Sequence, residues 1–150
     1  MTYYLDLFTP ETWKAFKDHG AKISGFREHQ RKSAERVKPG DLFLCYLVRL
    51  SRWCGILQVK STFFVDTAPI FLDPDPFVVR FRVEPKVVLE VDRSIPIFES
   101  EIWSRLSLTE GIEVRALGWA QYANLRASLR QMSDADGSLL TEILERQSSD

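Results

Sequence analysis

Lys38-Pro39-Gly40-Asp41 runs directly into Leu42–Val48, an apolar stretch with no polar alternation. The proline of such a turn fixes φ and the glycine frees it, so the apolar run begins as a new element. A short, unbroken apolar run reads as a strand covered on both faces. Cover on both faces requires a layer on each side, and that directs the chain toward a closed or strongly curved sheet with helices packed on it.

The flanking segments supply those layers. Tyr3–Phe8 reads as a first strand, rich in aromatics and interrupted by Asp6. Thr9, Pro10 and Glu11 form a helix start, the threonine capping and the proline suiting the first helical position. That helix, about 10–19, presents Trp13 and Phe16 to a core and stops at Gly20. Residues 21–38 form a bend and a basic segment, with a short helical turn around Ser33–Val37. Trp53–Val65 is expected as one long strand, bulged near Gly55. Asp66–Pro76, with three prolines and three aspartates, is a loop. From Phe77 to Glu84 the residues alternate: Phe77, Val79, Phe81 and Val83 face the core, while Arg80, Arg82 and Glu84 face water. Val87–Val91 is a further short strand and Phe98–Leu106 a short helix. Gly118–Met132 has helical spacing at Trp119, Tyr122, Leu125 and Leu129. Ser133 to Asp136 caps a last helix to about Arg146, after which the tail frays.

At 150 residues the chain suits one domain with a real core. Its net charge of −1 argues against non-specific coating of nucleic acid, which needs a broad cationic field. Cys45 and Cys54 lie in apolar strands and read as buried free thiols. No leader pattern is visible at the N-terminus and no apolar run approaches membrane-helix length, so a cytoplasmic protein with no membrane partner is expected. Phosphate-loop, nucleophile-elbow and zinc-helix motifs do not occur, and Cys and His are not clustered at ligand spacing. No catalytic residue, metal or cofactor is assigned. Asp66, Asp73 and Asp75 read as turn residues rather than a cation site. His19 suits the C-terminus of the first helix by its charge.

Positive charge is nonetheless concentrated. Lys22, Arg27, Arg31, Lys32, Arg36 and Lys38 stand against Glu28 and Glu35 only. The order of Tyr3-Tyr4-Leu5, a helix with Trp13, the bend Ile23-Ser24-Gly25, basic residues, Arg36-Val-Lys-Pro-Gly-Asp41, an apolar strand and Cys54-Gly-Ile-Leu-Gln-Val59 resembles the EVE domain family. Phe63 to Phe71, Pro76 to Val83, Trp103 and the C-terminal helices are similar to that family's continuation. The resemblance covers about residues 2–106 and 125–146, with the segment near 109–122 reading as an insertion or a divergent stretch. It implies a single PUA-like domain over residues 1–150, related to the YTH and ASCH domains. The fold class is α+β: a small closed or strongly curved mixed β-barrel flanked by helices, with the helices of about 118–146 packed on it. It also implies a non-enzymatic reader that takes a flipped, modified base, with modified cytosine favoured, into a pocket at the barrel mouth. DNA and RNA both remain open as partner, and no oligomeric state is assigned. Ile23 or Ser24 stands where the YTH relatives place a tryptophan.

Such a pocket needs an aromatic wall to stack on the base and a few polar groups to read its edge. Phe26, Trp53 and Phe71 are the wall candidates, with Trp103 beside them; packing in the core is the competing reading for each. Trp13 and Trp119 read as core. Ile23, Ser24 and Gly25 either approach the base edge or form a plain bend. Asp66 either accepts from an exocyclic amine or caps a turn. Arg27, Arg31, Lys32 and Arg36 suit flanking phosphates, with Arg52 and Arg49 extending that surface, or else solvate a helical face. Two other classes stay in view. One is a small-ligand or protein-interaction domain using the same pocket. The other is a small nucleotide- or RNA-processing enzyme using Asp66 or His29.

Overall fold

The computed structural model describes residues 1–109, 125 and 127–150. β1 (Tyr3–Phe8) pairs in parallel with β3 (Leu42–Leu47), and β3 pairs antiparallel with β4 (Arg52–Val59). β4 continues antiparallel to β6 (Val79–Val88), which carries β2 (Ile23–Phe26) along its first half. Short strands complete the sheet: β5 (Phe64–Val65) on β6, β7 (Ile95–Pro96) on β4 and β8 (Gln131–Met132) on β1. The path is therefore β2-β6-β4-β3-β1-β8. Although β1 and β2 stand far apart on that path, the sheet curves until Ser24 Oγ donates to Asp6 Oδ2 at 2.6 Å. Curvature of this degree gives the expected α+β half-barrel.

Helices complete the layers. α1 (Pro10–Asp18) opens with a reciprocal cap in which Thr9 and Thr12 each accept the other's backbone N–H, at 3.1 and 2.8 Å. A cap of this kind stabilises a helix by about 1 kcal/mol. His19 caps its C-terminus and Gly20 follows at φ 93°. α2 (Arg31–Ala34) and α3 (Ser100–Trp103) are single turns. α4 (Asp134–Ser149) lies across the sheet so closely that a Cβ on Gly137 would sit 2.2 Å from the Tyr3 ring.

Two apolar clusters follow from the strand period. Tyr3 and Leu5 of β1, with Leu42, Leu44 and Tyr46 of β3, face α3 and α4. Tyr4 and Phe8, with Phe43, Cys45 and Leu47, face the barrel interior and α1. All of β3 is buried, as its unbroken apolar run requires. The register slips between Cys45 and Tyr46, where Gly55 and Trp53 are their partners, so the expected bulge falls at Cys54. A close approach explains Gly55 itself: a Cβ there would meet the Trp13 ring at 2.9 Å. Both thiols are free and buried.

Several elements differ from the sequence reading. The 23–26 bend is a strand, because Ser24 and Phe26 bury at strand period while the backbone pairs with β6, Gly25 opposite Arg80. The long strand expected over 53–65 stops at Val59 and resumes only at Phe64. Val79–Val88 is one strand, not two, since a register shift at Ile56/Leu57 accommodates Pro85. Arg80, expected on a wet face, is wholly buried; it is matched by the loop before it. The helix expected over 118–132 lies mostly outside the described residues, Trp119 and Tyr122 included, but its end is strand β8, paired with Tyr3 and Tyr4. α4 runs past Arg146 to Ser149, and Arg93 donates to Gln147 O and Asp150 O at its end. Among the described residues, no helix is long and apolar enough to cross a membrane.

Candidate functional site

A cleft of about 360 Å³ opens where β1 hands over to α1 and β2 runs into its basic segment. Phe8, Phe26 and Phe77 form its aromatic walls, and Gly25 part of its floor. A smaller void beside it shares Phe8, Gly25 and Phe77 and brings in Phe71. Gly25 has no room for a side chain: a Cβ would lie 2.8 Å from the Phe71 ring and 2.9 Å from the Phe77 carbonyl oxygen. The Arg27 guanidinium lies 5.1 Å from the Phe77 ring centroid, a cation–π contact.

The described lining contains no carboxylate, so nothing there repels an anion. Its polar groups are unequal. The Thr9 and Thr12 hydroxyls are engaged in the α1 cap, and Ser128 Oγ accepts from Leu7 N at 3.0 Å. Gln30 and His29 make no side-chain hydrogen bond among the described residues, leaving a carboxamide and an imidazole open to a guest. A carboxamide both donates and accepts, which suits the edge of a base.

Beneath the lining lies the Asp6–Ser24 pair. Asp6 is 1% exposed and Ser24 is fully buried, and Ser24 is the side-chain partner of Asp6. Burial pushes the Asp6 carboxyl up to about 8, with the Ser24 hydrogen bond opposing only in part. At neutral pH Asp6 is thus largely the neutral acid. Cys45 and Cys54 face the same interior, and burial followed by the nearby Asp6 raises both thiols well above their ordinary value. Such thiols are poor nucleophiles.

The residues singled out from sequence divide between two faces. Gly25, Phe26 and Arg27 line the cleft, Phe71 reaches its side void, and Ser24 lies below the floor. Ile23 is half-buried opposite Arg82, beyond the lining. Trp53 and Trp103 belong to the opposite cluster; Trp53 is 0% exposed and meets the Tyr46 ring edge-on at 4.8 Å. For these two the packing reading replaces the wall reading, because they point to the helix-covered face. Asp66 is a turn cap, accepting from Ala68 N at 3.0 Å, and does not line the cleft.

The cations divide likewise. Lys32 is exposed and unpaired among the described residues, whereas Arg31 pairs with Glu28 at 2.7 Å. Arg36 donates to Leu129 O at 3.0 Å and lies over the Tyr4 ring. Arg52 donates to Ser94 O beside α1, away from the cleft, and Arg49 reaches Glu11. Sequence reasoning missed Phe8, Phe77 and Gln30. Phe8 stands at a strand end before a cap, where a side chain turns from core to rim. Phe77 read as ordinary strand alternation, and Gln30 carried no signal beyond its basic neighbours.

No family model matches the chain. In sequence it is similar to the UPF0310 protein PYRAB08750 of Pyrococcus abyssi, 28% identical over 102 residues that span 61% of this chain and 70% of that protein. In structure it is similar to the Pho92 YTH domain solved in complex with m6A, with a TM-score of 0.67, 15% identity, and 99% of this chain and 86% of that one covered. The Mmi1 YTH domain, solved in complex with RNA, gives 0.64 and 17%, over 97% and 78%. At these identities the likeness is one of fold, and this chain has the PUA-like α+β half-barrel of the YTH domains.

Proposed function

We propose that the chain is a nucleic-acid-binding module of the EVE type that admits one unstacked, modified base into the Phe8–Phe26–Phe77 cleft. The carrying observation is that cleft: aromatic on its walls, free of carboxylates, and rimmed by Arg27, in a fold that YTH domains share. Stacking on such walls is worth ~1–3 kcal/mol per base, comparable to the few kcal/mol of unstacking. Gln30 and His29 offer the hydrogen bonds that read the base edge. Arg27 and Lys32 neutralise the flanking phosphates, and Arg31 and Arg36 join them at the price of their present partners.

The resemblance favours modified cytosine, whereas the YTH relatives were solved with RNA or m6A. Fluorescence anisotropy therefore compares single-stranded DNA and RNA carrying 5-methylcytosine, 5-hydroxymethylcytosine, N6-methyladenosine or no modification. The expected result is at least tenfold tighter binding of one modified oligonucleotide than of its unmodified twin. Equal, weak binding of all of them at low salt would overturn the reading, and a thermal shift with free nucleosides alone would favour a small-ligand domain.

A further inference from the structure

The segment 66–77 follows β5 and carries Phe71 and Phe77 to the cleft, yet it has no secondary structure of its own. It is fastened from inside. Arg80, on β6 opposite Gly25 and Phe64, has a fully buried side chain, and every partner recorded for its guanidinium comes from this one segment. Nε donates to Phe77 O at 3.0 Å, and Nη2 donates to Ala68 O at 2.6 Å and to Asp75 Oδ2 at 3.1 Å. Asp75, its side chain 1% exposed, accepts in turn from the backbone N–H of Ile70, Phe71 and Phe77. One ion pair thus fixes the backbone at both aromatic residues.

The match is incomplete. Nη1 of Arg80 is buried without a hydrogen-bond partner among the described residues, and Asp66 Oδ2 stands 3.6 Å away on a half-exposed side chain. A buried, unmatched guanidinium donor is unfavourable, and a carboxylate that closed this gap would match it.

We propose that Arg80 is a positioning residue for the cleft: with Asp75 it pins the 66–77 segment as an aromatic flap against β2, and Asp66 takes up the free Nη1 donor when the flap tightens over a bound base. The second half rests on the base-reading function; the pin does not. Hydrogen exchange on the free protein tests the pin. Arg80→Lys should speed exchange at Ile70, Phe71 and Phe77 at least tenfold while leaving β3 and β4 protected. Unchanged exchange there in a folded Arg80→Lys protein overturns the pin, whatever the ligand. Asp66→Asn keeps the Asx turn and removes the charge, so the melting temperature should hold. Stopped-flow release of the tightest-bound oligonucleotide of the panel should then quicken about tenfold, with association within twofold. Wild-type release rates in both folded variants overturn the positioning role. Failure of wild type to bind any of the oligonucleotides removes the base-reading function and with it the flap's tightening, and leaves the pin to the exchange result.

Discussion

The two faces of the sheet differ in what they bury. Toward α3 and α4 the cluster runs from Tyr3 and Leu5 through Trp53 to Leu140 and Leu144, and its buried carboxylate, Asp136, is matched by the backbone and hydroxyl of Ser107. Toward the interior, the sheet buries Asp6, Ser24 and Arg80 among its phenylalanines and opens into a cleft. Buried polar groups lower stability unless matched, and on the interior face they stand beside an open cleft, which marks where the fold accepts that loss. The covered face is assigned to packing alone, and recognition to the face that opens into the cleft.

Substitutions should separate the two. Trp53→Ala empties a fully buried site on the covered face and should lower stability by about 3–5 kcal/mol, read by urea denaturation. Oligonucleotide affinity per folded molecule should stay within twofold. A tenfold loss of affinity in the folded fraction would return Trp53 to the pocket.

Asp6→Asn addresses the interior face through pH. The folded carboxyl keeps its proton to about 8, while an unfolded aspartate loses it near 3.9. Over that window the folded state binds more protons, so wild-type stability falls as pH rises, by up to about 1.4 kcal/mol per unit, and levels off above it. The two thiols facing Asp6 stay protonated throughout this range. Asparagine keeps a neutral partner for Ser24 without the titration. The gap between the two proteins in denaturation series should widen from pH 5 to 8, and parallel curves would contradict a buried acid at the β1–β2 seam.

Gly25→Ala drives a methyl group into Phe71 and the Phe77 carbonyl. Overpacking of this kind should destabilise by about 1–3 kcal/mol and weaken base binding more than tenfold in anisotropy. The smallest stability change belongs to Arg27→Ala, an exposed rim residue, within about 0.5 kcal/mol by melting. It should weaken all oligonucleotides alike and reduce the salt slope by about 1.

Much of this division was legible in the residues. The unbroken run Leu42–Val48 announced a strand covered on both faces, and Gly55 announced the bulge. Asp6 read only as an interruption of an aromatic strand; its burial goes with a partner, Ser24, that lies 18 residues away, beyond local pattern. Arg80 shows where periodicity fails: alternation gives the direction of a side chain, not whether a loop will fold over it. Trp53 and Trp103 were misplaced for a related reason, since aromatic character does not reveal which side of a sheet a residue faces. Gly25 was singled out for close approach, but the atoms that approach it arrive from a loop some fifty positions downstream.

Amide chemical-shift mapping with a single-stranded RNA carrying one N6-methyladenosine, and with its 5-methylcytosine DNA counterpart, tests the central assignment most directly. Perturbations should concentrate at Thr9, Gly25, Phe26, Arg27, Gln30 and Phe77 with at least one of the two. Shifts centred on Trp53, Trp103 and α4, or none with either, would contradict it.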